Sequence, residues 1–176
     1  MAIYALDGHI PILGEGTYIH ESANVSGNVI LGKNCFVGPG ASIRGDYGRI
    51  ILGDETSVED NVIIHARPGE ITRVGSYVTL GHGCILHNCT VEDYAVIGMG
   101  AIVSDWAVIR RWAVVAEGAV VKNSFEVPEE CIAVGVPAKI LEVKITQSYK
   151  EEWLHFKSVY ARLAREVYPR SCRRLS

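Results

Sequence analysis

The chain has 176 residues, enough for one domain with a full core, and its composition is 48% hydrophobic and 21% charged with a formal net charge of −3. That balance lacks the basic excess of a nucleic-acid binder, and no apolar run approaches the ~18 residues of a membrane span. Five cysteines are an odd number, and residues 1–7 lack the charged and apolar regions of a secretory leader, so reduced thiols in a cytoplasmic protein are expected.

From the N-terminus onward the dominant signal is a period of six. Ile19, Val25, Leu31, Val37 and Ile43 recur at that spacing, and after a three-residue slip the register resumes at Leu52, Val58 and Ile64. A four-residue insertion around residues 67–73 follows, then Val74, Leu80 and Leu86. One residue is then lost, and the series continues through Val91, Ile97, Val103, Ile109, Val115 and Val121. Four positions after most of these stands a small residue, such as Ala23, Cys35, Ala41, Cys84, Ala95 or Ala113. A helix needs apolar residues every three or four positions, and an amphipathic strand needs strict alternation. Period six fits neither. It fits short strands joined by corners, one aliphatic per strand pointing inward, with three hexads closing each triangular coil. Residues about 18 apart then stack at the inter-strand spacing of ~4.8 Å. The expected fold is an all-β solenoid, with Cys84 and Cys89 packed inward rather than acting as ligands or a redox pair.

The solenoid is expected to end near Asn123, followed by a connector through Pro128 and Gly135-Val-Pro-Ala-Lys139, which closes a domain over residues 1–145. Thr146 is a plausible N-cap for a helix over 146–168. Tyr149, Trp153, Phe156, Tyr160, Leu163 and Val167 form its apolar stripe, expected to pack on the outside of the prism. Residues 169–176, with Arg170, Arg173 and Arg174, read as a solvated basic tail.

Three of the six histidines cluster in sequence: His65, His82 and His87. His65 and His87 each follow an inward aliphatic, one coil apart, so they stack on one face above Arg44, close enough to share a metal at about 2.0–2.1 Å. His82 lies two positions after Leu80, over Asp60, on another part of the prism. A neighbouring subunit must supply it, which implies a cyclic trimer with one metal per interface. Three imidazoles leave a fourth position on zinc open for water, whose pKa the metal lowers towards 7. Proton handling then falls to Glu59 and Asp60, while Arg44 and Asp46 pair across or within the interface.

These residues resemble the γ-class carbonic anhydrase family. The likeness is carried by Arg44-Gly-Asp46, Val58-Glu-Asp-Asn61 with His65, Gly81-His82 with Leu86-His87, Ile97-Gly-Met-Gly100 and Gly135-Val-Pro-Ala138. Ser42-Ile-Arg-Gly-Asp-Tyr-Gly-Arg49 and Ile85-Leu-His-Asn-Cys89 bring it nearest to the PaaY/CaiE branch, associated with phenylacetate degradation and carnitine metabolism. The resemblance implies a left-handed parallel β-helix, a homotrimer, Zn2+ (sometimes Fe2+ or Co2+) and reversible hydration of carbon dioxide. It further implies His65, His82 and His87 as ligands, an Arg44–Asp46 inter-subunit ion pair, and assistance from Asp60. The chain departs from the family at Glu59, where Gln is usual, and a carboxylate there raises the pKa of a metal-bound water or competes as a ligand. The insertion around residues 67–70 also lacks the acidic loop that shuttles protons in some members. Three other functions share this scaffold: CoA-dependent acyl transfer with one histidine as base, metal-assisted hydrolysis of CoA esters, and a non-catalytic metal-binding assembly subunit.

Overall fold

The computed structural model describes residues 2–172 and 175. Its body is a left-handed parallel β-solenoid of about 7 turns. Short strands stack in three columns, one per face of a triangular prism. The first column carries Ile63–His65, Ile85–His87, Ile102–Val103 and Val120–Val121. The second carries Ile71–Val74, Thr90–Val91, Val108–Ile109 and Glu126–Val127. Two longer strands, Asn24–Leu31 and Ser42–Leu52, turn the corner between these columns unbroken and belong to both. The third column runs from Tyr18–Ile19 through Ser57–Val58 and Thr79–Leu80 to Cys131–Val134.

The hexad aliphatics form the core as expected. Val25, Ile43, Ile64, Leu86, Val103 and Val121 fill the first face from inside, and the small residues Ala23, Ala41, Ala95 and Ala113 are equally enclosed. Cys84 and Cys89 are both buried in this core, and burial pushes each thiol up to about 12. They are packing residues.

The two breaks in the count are loops at one corner. The slip after Ile43 is the outward turn Asp46-Tyr47-Gly48 inside the long strand, and the insertion around residues 67–73 lies directly over it. Gly69 N–H donates to Tyr47 O at 3.0 Å and Arg49 N–H to Glu70 O at 2.8 Å. Gly48 is required there, because a Cβ would lie 2.3 Å from Arg67 O. Another corner carries aromatics where the backbone is left-handed: Tyr77, Tyr94 and Trp112, with φ of 58°, 61° and 56°. Their rings stack at centroid separations of 5.0 and 4.8 Å, which offsets the cost of placing bulky side chains in that region.

The solenoid continues past the end expected near Asn123. Glu126–Val127 pairs in parallel with Val108–Ile109, and Cys131–Val134 with the strand at Val114–Val115. Val127 and Ala133 keep the inward six-residue register, while Pro128 falls at a corner, where a missing N–H costs no ladder bond. Lys139–Lys144 then folds back antiparallel on Cys131–Val134.

Thr146 caps the C-terminal helix, its hydroxyl accepting from Tyr149 N–H at 3.2 Å. Helix α1 spans Gln147–Arg162, a π-helical turn spans Leu163–Val167, and a short α2 covers Tyr168–Ser171. Helical structure thus passes the expected boundary at 168, because Tyr168 packs on Tyr18 and Phe36 at 5.1 and 5.2 Å. Of the basic cluster, Arg170 is in α2, whereas Arg173 and Arg174 lie outside the described residues. The helix packs on the third column of its own chain. Its most buried residues are Lys157, Ala161 and Ala164, while Phe156 of the apolar stripe remains half exposed. Among the described residues, no helix is long and apolar enough to cross a membrane.

Candidate metal centre

His65 and His87 are register partners in adjacent strands of the first column, and Arg44 is the partner of His65 in the coil before. Ile64 and Leu86 point into the core, so the residues that follow them point out. The two imidazole centroids are 5.2 Å apart with 35° between the planes.

Carboxylates hold both rings. Asp46, delivered by the outward turn, lies with Oδ1 2.7 Å from His65 Nε2 and also pairs with Arg44. Although burial raises the Asp46 carboxyl, hydrogen bonds from His65 and Tyr47 N–H and the Arg44 charge hold it below its ordinary value. Asp105 contacts His87 Nδ1 at 2.5 Å and receives Arg67 Nη1 at 2.7 Å. Its carboxyl is likewise held low by these two partners against the opposing effect of burial. Arg67 lies over the Trp106 ring at 5.0 Å, and Glu70 Oε2 accepts from Trp106 Nε1 at 3.0 Å and from Asn88 Nδ2 at 2.8 Å. Sequence reasoning missed Asp105 and Arg67 as parts of the site. The signal for Asp105 was weak: it stands 18 residues after His87 in a coil of 17, one residue past the stacked position.

His82 belongs to a different corner, at the turn leading into Ile85–His87, with up to roughly 15 Å of extended chain between it and His87. Its Nδ1 accepts from Asp60 N–H at 3.3 Å, and its Nε2 lies 3.1 Å from Glu59 Oε2. Glu59 is buried and lines the same cleft as Tyr160 of α1, so the helix helps form this half of the site. Beside it, a cleft of about 260 Å³ runs between α1 and the third column, lined by Glu59, Thr79, Trp153, Phe156, Lys157 and Tyr160. One chain therefore brings together Arg44, Asp46, His65 and His87 at one place, and Glu59, Asp60 and His82 at another. Among the described residues, no three His, Cys, Asp or Glu side chains of one chain gather as a metal-binding group.

The bacterial transferase hexapeptide (six repeats) family matches residues 11–45. Over 157 residues the chain is 34% identical to the carnitine operon protein CaiE of Escherichia coli O157:H7, covering 89% of this chain and 78% of that protein. The chain belongs to the hexapeptide-repeat family, in the γ-carbonic anhydrase-like branch that includes CaiE. The hexapeptide transferase family protein of Anaplasma phagocytophilum is a solved structure with a TM-score of 0.88 and 32% identity, covering 93% of this chain and 96% of that one. A Bacillus cereus protein, provisionally named an acetyltransferase, has a TM-score of 0.88 and 28% identity, with 93% and 95% covered. Hexapeptide-repeat proteins are typically trimers that bind small molecules such as CoA.

Proposed function

We propose that this protein is a γ-carbonic anhydrase-like enzyme that hydrates carbon dioxide reversibly, as a homotrimer with a Zn2+-type ion at each subunit interface. Fe2+ or Co2+ is an alternative occupant. His65 and His87 of one protomer and His82 of the next are the ligands. The observation that carries this reading is the pair of outward imidazoles, His65 and His87, on adjacent strands with their rings held by carboxylates. The division of the histidines between two corners fits a centre completed by a neighbour.

The donor set suits such an ion. His87 presents its Nε2 outward because Nδ1 is engaged by Asp105. The Nε2 atoms of His65 and His82 face Asp46 and Glu59, and Asp46 keeps Arg44 as a partner once the imidazole turns to a cation. When bound, the ion supplies Lewis acidity and a water that ionises near neutral pH. Arg44 then orders Asp46 at the rim, and Glu59 and Asp60 accept protons beside His82.

A second reading, acyl transfer, draws on the transferase names of the structural relatives at 32% and 28% identity. That chemistry needs one histidine base and no metal. Protein purified without chelator is expected to contain about one zinc-type ion per chain and to lose carbon dioxide hydration on chelation. A metal-free trimer that acetylates an acceptor from acetyl-CoA would overturn the anhydrase reading in favour of the transferase.

A further inference from the structure

The three histidines are not equivalent. His65 and His82 each have Nε2 against a carboxylate, whereas His87 is gripped from behind at Nδ1. An ionised carboxylate accepts only, so the Nδ1 of His87 carries the proton and the lone pair resides on Nε2. Behind Asp105 stands a further layer. Arg67 donates to its other oxygen, Oδ2, at 2.7 Å, and lies on the Trp106 ring, whose indole N–H is fixed by Glu70. Glu70 also holds the Asn88 amide, and Asn88 N–H donates to Thr72 Oγ1, which itself donates to His65 O. Arg67, Glu70 and Thr72 all come from the insertion that interrupts the hexad count.

We infer that Asp105 and Arg67 are positioning residues for His87: the insertion around residues 67–73 supplies Arg67 to fix Asp105, and Asp105 fixes the tautomer and ring orientation that expose His87 Nε2. The regular coil needs neither charge. A solenoid turn closes without extra residues at this corner, as the later coils of this chain do. The inference rests on the reading of His87 as a metal ligand for its purpose, but its geometry can be tested without metal.

The experiment uses the full chain stripped of metal and labelled with 15N at histidine, comparing wild type with Asp105→Asn, Asp105→Ala, Arg67→Lys and Arg67→Met. The His87 signals, assigned by loss in His87→Gln, are expected to show the Nδ1–H tautomer in wild type. In Asp105→Ala they should shift towards the Nε2–H form, with Asp105→Asn between the two. Zn2+ affinity, measured against a competing chelator, is expected to fall about 10–100-fold in Asp105→Ala. It should fall less in Arg67→Met and be largely kept in Arg67→Lys. Unchanged tautomer and affinity in Asp105→Ala, with the coil folded by circular dichroism, would overturn the inference. If the tautomer shifts as stated while no variant and no wild-type trimer binds metal, the positioning stands and the anhydrase reading falls.

Discussion

The Glu59 carboxylate lies 3.1 Å from His82 Nε2 in a setting that is almost closed to solvent. A full negative charge so placed acts on any cation or ionising water beside His82, where an amide would offer hydrogen bonding without charge. Glu59→Gln is expected to raise the rate of carbon dioxide hydration at neutral pH by up to about tenfold, read by stopped-flow with an indicator. A rate equal to or below wild type would show that the charge does not limit turnover. At this scale much of the site was legible: the six-residue register placed His65, His87 and Arg44 in one column, and the structure keeps them as partners. It did not give the side-chain pairs. Asp46 reaches His65 because an outward turn carries it there, and Glu59 meets Tyr160 through tertiary packing of the distant helix. Neither contact leaves a mark in sequence spacing. Asp105 stands one residue past the position stacked on His87, so the register alone does not pair them.

Among the elements, helix α1 shows how a burial pattern departs from a hydrophobic one. Its apolar stripe predicted contact with the prism, yet Lys157 is among the most buried residues, donating to Ser57 Oγ at 2.9 Å and Val78 O at 2.7 Å. Burial lowers its ammonium to about 7, against smaller upward pulls from Cys35, Glu59 and Glu55. The unfolded chain keeps the ordinary value of 10.5, so between these pH values the unfolded state holds the extra proton. The stability cost of burying the charge is therefore full below pH 7 and is relieved as pH rises towards 10.5. Thermal melts of wild type and Lys157→Met at pH 6 and pH 9 should show the wild type gaining on the variant by several degrees at the higher pH. An identical pH response in both would mean that the amine is solvated. The corner ladder Tyr77–Tyr94–Trp112 allows a second check. Tyr94→Asn tolerates a φ of 61° but loses both stacking partners, so a loss of about 1–2 kcal/mol in denaturant unfolding is expected. No loss would show that the stack does not contribute. The solenoid runs past its expected end near Asn123 because a corner accommodates Pro128 and the inward register continues at Val127 and Ala133.

For the whole molecule, the proposed centre divides its ligands between subunits. The prism is rigid, with a core of aliphatics repeated along its axis, so the corner bearing His82 has no route to the face bearing His65 and His87 within one chain. Fold class was legible because one inward residue per six is a rule that each strand obeys independently. The trimer stays a proposal, since a face meeting a neighbour would be made of the same alternating residues as any other exposed face. The most direct measurement mixes His82→Ala and His87→Ala chains by co-refolding and counts metal. Neither variant alone should hold an ion at the interface, whereas mixed trimers should recover about one ion each, together with part of the hydration activity, because one interface regains all three imidazoles. Full metal content in the His82→Ala trimer, or no recovery on mixing, would contradict a centre shared between subunits.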